Sequence, residues 1–133
     1  IYLRNAEILN SQLVWTTTST TSERLIYIPI TRRLRYLYVT LNVVSGSSSA
    51  TATGDVTIAR GDITSSGISL STTTTASKTY RIDFNAFSVG TYIGYLIGDV
   101  YTSNSAYKAG IRLGNLFWSD TGTEPYDDTI VVY

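Results

Sequence analysis

Neither cysteine nor histidine occurs in this chain, which removes much of the residue chemistry that enzymes use. Without cysteine there are no disulfides, thiolate ligands or cysteine nucleophile. Without histidine there is no Ser-His-Asp triad, imidazole base or imidazole-bound metal within the chain. Charge is also sparse: Asp, Glu, Lys and Arg supply 15% of the 133 residues, against ~25% in an ordinary soluble domain. Proline occurs only twice, and no run approaches the ~20 apolar residues of a membrane span. A signal-peptide pattern is missing, and membrane insertion is not expected. The chain opens at Ile1 rather than Met, from which a processed or excised product is expected.

What is present is apolar, hydroxylated and aromatic. A 43% hydrophobic fraction supports a packed core, and eleven tyrosines accompany many Thr and Ser residues. Thr and Tyr suit a pleated, half-exposed surface, so this composition points to β-structure. Net charge is zero, but residues 1–66 carry six bases and four acids while residues 67–133 carry four and six. Nucleic-acid binding would favour a broad basic field, and none is expected here.

Apolar residues recur with period two from residue 13 onward, with no convincing helical stretch. Strands are expected at Leu13–Thr16, Leu25–Ile30, Leu34–Val44, residues 50–58, Ile68–Thr72, residues 79–86, Thr91–Tyr101, Tyr107–Leu113 and Thr129–Tyr133. Pro29 marks its strand as an edge or a bulge. The small residues Ala50, Ala52 and Gly54 suggest a close approach by another backbone or a bulky neighbour. Thr91–Tyr101 is apolar on both faces and should lie centrally. About nine short strands with Gly, Ser and Asn turns describe an all-β, antiparallel, jelly-roll-like sandwich. Residues 13–133 form the expected domain, and residues 1–12 an N-terminal arm or a short helix.

"RRLRYLYVTLNVV", residues 32–44, separates into two faces. Leu37, Val39, Leu41 and Val43 form a core row that should be buried with Ile82, Phe84, Leu96, Ile111 and Leu113. Tyr36, Tyr38, Thr40 and Asn42 form the other row. It is too amphipathic for a deep core and too aromatic for plain solvent, so Tyr36 and Tyr38 are expected beneath a neighbouring subunit, a loop or a ligand. Arg32, Arg33 and Arg35 lead into it. With Ile1, Leu3, Ile8 and Leu9 of the arm, these residues are the candidate subunit interface.

"DTGTEPYDD", residues 120–128, gathers Asp120, Glu124, Asp127 and Asp128, hard oxygen donors that could suit Ca²⁺. Its spacing is not that of an EF-hand, and a solvated acidic turn is the simpler reading. Trp118, beside Asn115 and Asp120, is the best candidate for stacking on a sugar, whereas Trp15 in "LVW" is expected in the core; burial is the commoner outcome for both. Arg60–Asp62 spells RGD in an expected turn, where an integrin ligand would be displayed and where Gly61–Asp62 works equally well as an ordinary turn.

The functional expectation is a non-enzymatic structural or adhesive subunit of an extracellular filament or a virion surface. Other copies of the chain would be its partners, through strand addition and charge-complementary contacts, with no cofactor required. The alternative is a carbohydrate-binding, receptor-binding module whose partner is a cell-surface glycan. The six asparagines form no Asn-X-Ser/Thr acceptor.

Overall fold

The computed structural model describes residues 13–61, 63–66 and 69–133, and for Ser66 only the backbone. Ten strands follow one another: β1 (Val14–Trp15), β2 (Glu23–Thr31), β3 (Tyr36–Ser45), β4 (Ala52–Arg60), β5 (Ile63–Ser66), β6 (Leu70–Thr72), β7 (Thr75–Asp83), β8 (Ile93–Thr102), β9 (Ala109–Ser119) and β10 (Asp128–Val131). They form two sheets. One has the order β1-β9-β3-β7-β10, the other β2-β8-β4-β5 with β6 also paired to β4.

The pairing explains the topology. β1 pairs with β9, β2 with β8, β3 with β7, and β4 with β5 and β6, each antiparallel. The chain is one long hairpin doubled back after β4, then rolled so that its paired strands alternate between sheets. Cross-pairing of β3 with β9 and of β4 with β8 closes each sheet. This is a jelly roll, and its dominant contacts are far apart in sequence.

Period two produces the core. Leu37, Val39, Leu41, Val43, Ile82, Phe84 and Leu96 are fully buried, as are Ile111 and Leu113 to within 1%. Ile26, Ile28, Ile30, Val56 and Ile58 join Leu96 on the inner face of the second sheet, opposite the others. The close approach expected near Gly54 is there: a Cβ on this residue would lie 2.6 Å from Val43 Cγ2. Pro29 lies on β2, an edge strand, where the absence of an N–H costs no ladder bond on the open side.

Among the departures from the alternation pattern, three have an evident physical cause. β5 follows a turn at Gly61 (φ 63°), and its short hydroxylated run carries little periodic signal. β7 ends at Asp83, and residues 84–87 turn, leaving Ala86 exposed rather than paired. β9 continues past Gly114 through a bulge: the register with β3 shifts between Tyr38 and Thr40, and Asn115 adopts φ 49°. An extra residue of this kind breaks strict alternation, which is why "GNLFW" reads as a strand end. Arg60 is held over the Phe87 ring at 4.7 Å, and Asp62 lies outside the described residues.

Candidate interaction surfaces

The tyrosine row of β3 is covered by the chain's own acidic segment. β9 and β10 belong to one sheet but are separated by β3 and β7. The connection must therefore travel about 15 Å sideways, three inter-strand spacings, across the outer face. Residues 120–127 make that crossing as a strap. Tyr38 Oη donates to the Thr121 carbonyl at 3.0 Å, and Arg81 Nη1 donates to the Gly122 carbonyl at 2.8 Å. The Arg81 guanidinium lies 4.2 Å from the Tyr126 ring centroid and 5.1 Å from that of Tyr36. Asp127 bridges to Thr79 twice, its N–H donating to the Thr79 carbonyl and its carboxylate accepting from the Thr79 N–H, each at 2.8 Å. Tyr38 is fully buried, stacked on Phe117 at 4.9 Å, and burial pushes its phenol up. The cover over Tyr36 and Tyr38 is thus a loop.

The same crossing disperses the carboxylates grouped in sequence. Asp127 binds the Thr79 backbone, Asp128 pairs with Lys78 at 3.5 Å, and Asp120 and Glu124 are exposed. Among the described residues no three acidic side chains are gathered for a metal, so the calcium cluster at Asp120, Glu124, Asp127 and Asp128 is corrected to a strap. Extended backbone fans successive side chains apart, whereas a tight turn would have converged them.

The arginines also act within the chain. Arg35 makes two bonds to Asp83, 3.1 and 3.3 Å, and stacks on Tyr36 at 4.9 Å. Arg32 donates to the carbonyls of Leu34 and Phe87, fastening the loop between β7 and β8. Arg24 approaches Asp99 at 3.8 Å, and Arg33 is exposed. The arm residues Ile1, Leu3, Ile8 and Leu9 lie outside the described residues.

Burial, the commoner outcome for a tryptophan, holds for Trp118 and not for Trp15. Trp118 is 6% exposed and packs on Phe84 at 5.4 Å, so its ring is unavailable for a sugar. Opposite it on β3 stands Leu37, a core residue, and the bulge after Gly114 is what turns Trp118 to the same face. Asn115 and Asp120 remain exposed without that platform. Trp15 is 39% exposed, because Val14 takes the inward position of the two-residue β1.

The second sheet presents a different surface. Opposed residues share a face, so Thr31–Ile93, Pro29–Tyr95–Ala59 and Tyr27–Ile97–Thr57 form successive outward rows. Ile93 is 67% exposed, Tyr27 55% and Tyr95 50%, and the two tyrosine rings meet edge to face at 6.4 Å. β8 is central, as its apolar pattern implies, yet its outer face is open at Ile93 and Tyr95, while Ile97, Thr57 and Ala59 in the same rows are buried. None of these three rows carries a charge.

Charge appears in the next row, where Arg24, Asp99 and Asp55 align. Burial is the main cause that pushes the Asp55 carboxyl up to about 6, with Asp99 adding a like charge. Burial raises Asp99 too, opposed by a hydrogen bond from Thr57 and by Arg24.

Compared with protein-family models, curated proteins and solved structures, the chain matches none.

Proposed function

We propose that this protein is a non-enzymatic structural or adhesive subunit, of an extracellular filament or a virion surface, that associates with other copies through the outer face of its second sheet. The observation that carries this reading is the exposed, uncharged set Tyr27, Pro29, Ile93 and Tyr95 on adjacent strands. β8 has the two-sided apolar pattern of a strand buried on both faces, and on its outer face that burial is missing at Ile93 and Tyr95, though not at Ile97. Interface centres are depleted in charge and enriched in aromatics, as this face is. An uncharged patch needs no partner of opposite charge and is complementary to itself across a two-fold axis. The in-chain partners of Arg32, Arg35, Asp127 and Asp128 leave the apolar face, rather than charge pairing, as the principal contact. A filament or shell requires a second contact, for which the open edge of β2 and the expected arm at residues 1–12 are the candidates. An extracellular or virion setting rests on composition alone: hydroxyl-rich, tyrosine-rich and poor in charge.

Sedimentation velocity across a wide concentration range tests this. The intact chain should show reversible association, and the Tyr27→Ser/Tyr95→Ser variant should remain monomeric with an unchanged melting temperature. A wild-type chain that stays monomeric throughout rejects the reading. Negative-stain microscopy of the chain lacking residues 1–10 then separates a closed dimer from an open assembly.

A further inference from the structure

Independently of self-association, the geometry points to a second binding site: a cleft of about 320 Å³ at the Trp15 edge of the first sheet that accepts a carboxylated pyranose ring. It is lined by Trp15, Gly46, Ala106, Tyr107 and Lys108, drawn from β1, the β3–β4 connection and the β8–β9 connection. Its volume is at the low end for small-molecule sites, suited to one sugar ring rather than an extended ligand.

The platform is built by backbone pairing. Trp15 lies opposite Gly110 on β9, and a Cβ there would sit 3.1–3.2 Å from the indole and from Leu13. Glycine at this position lets the indole lie close against β9, so one side of the ring is supported by the sheet. The end of β1 is tied to β9 at Thr16, whose N–H donates to the Ala109 carbonyl at 2.8 Å while its Oγ1 accepts from the Ala109 N–H at 3.1 Å.

The opposite wall is equally constrained. Gly46 N–H donates to the Lys108 carbonyl at 2.9 Å. Within the β8–β9 connection, Tyr107 N–H donates to the Asn104 carbonyl at 3.0 Å, and Ala106 N–H donates to Asn104 Oδ1 at 2.9 Å. Thr51 N–H reaches Ser103 Oγ at 2.8 Å, and Ser103 N–H returns to the Thr51 carbonyl at 2.9 Å. A site whose loops are already bonded into position loses little entropy when a ligand enters.

The lining selects the ligand. A flat aromatic platform takes the C–H face of a pyranose, and the small Gly46 and Ala106 leave room for the ring's thickness. The half-buried Tyr107 brings a phenol that can donate to and accept from hydroxyls. Among the described residues, Lys108 is the only charge in the lining, and no carboxylate lies within salt-bridge distance of it. That ammonium favours a ring bearing a carboxylate, a uronic or other acidic sugar, over a neutral one.

Calorimetric titration of the intact chain with a short glucuronate-containing oligosaccharide, and with its neutral glucose counterpart, tests the proposal. Saturable binding of the acidic sugar is expected, weakened roughly tenfold by Lys108→Gln, which removes one charge-assisted bond. Trp15→Ala should abolish binding. Because Trp15 belongs to a sheet edge, Tyr107→Ala and the exposed-loop variant Lys108→Gln provide the independent check, with unchanged melting temperatures. Equal affinity for acidic and neutral sugars, full binding by Lys108→Gln, or no binding by a folded wild-type chain overturns the assignment.

Discussion

The phenolic hydroxyl of Tyr38 donates to the backbone carbonyl of Thr121 across 3.0 Å and 83 positions of sequence. That bond joins the aromatic face of the strongest strand to the β9–β10 connection, which must cross it. An acidic segment and a tyrosine row that look like two separate surfaces in the sequence thereby become one closed surface. The chain's other sheet is left with the open aromatic face.

Removing the hydroxyl tests this closure. Tyr38→Phe keeps the ring and its stacking on Phe117 but leaves the Thr121 carbonyl without its donor. A loss of about 1 kcal/mol is expected in urea melts. Amide exchange should quicken selectively in residues 120–127 while β3 and β7 remain protected. Uniform acceleration across the first sheet would contradict the strap.

Arg81 is the more demanding position, since it contacts Gly122, Thr129, Tyr36 and Tyr126 together. Arg81→Ala should cost about 2–3 kcal/mol, more than Tyr38→Phe, because it removes hydrogen bonds and ring packing at once. Comparing the two melts by circular dichroism checks the order.

Core register is tested at Val39, which is fully buried opposite Tyr80. Val39→Asp should destabilise by at least about 4 kcal/mol, as an unpaired charge has no partner between the sheets. A soluble variant with a native-like melt would reject the register.

Stability should depend on pH through Asp55. Its carboxyl titrates at about 6 in the folded chain, against 3.8 ordinarily. The folded state therefore holds a proton that the unfolded state has released, and stability falls as pH rises from about 4 to 6. Asp99, shifted in the same direction, adds to this slope. Asp55→Asn keeps an acceptor for the Val56 N–H and removes the charge. It should raise stability at neutral pH by about 1–2 kcal/mol, the shift being discounted for the solvent that reaches this half-buried group. Urea melts at several pH values across this window, for both proteins, measure the slope and its loss.

Tryptophan exposure gives a direct optical check. Acrylamide should quench Trp15 strongly and Trp118 weakly, so Trp15→Phe should remove most of the quenchable emission. Addition of Ca²⁺ or EDTA should leave both the spectrum and the melting temperature unchanged, since the three strap carboxylates and Asp128 are dispersed.

Period-two alternation, hydroxyl-rich composition and turn residues determined from sequence alone that this is a sandwich, and which residues form its core. Those signals are local: Leu37, Val39 and Leu41 share a face whatever they pack against. Pro29 likewise announced an edge or a bulge, because it lacks a donor, and strand order decided for the edge. What the sequence could not hold was the position of one strand beside another. Strand order decided that residues 120–127 cross the tyrosine row instead of forming an ion-binding turn. A single bulged residue near Asn115 decided that Trp118 turns inward, and the pairing of two-residue β1 with β9 decided that Trp15 turns outward. Side-chain direction in a strand reverses with every residue, so an irregularity of one position exchanges core for surface. Such irregularities are settled by long-range pairing, and only the folded chain displays them.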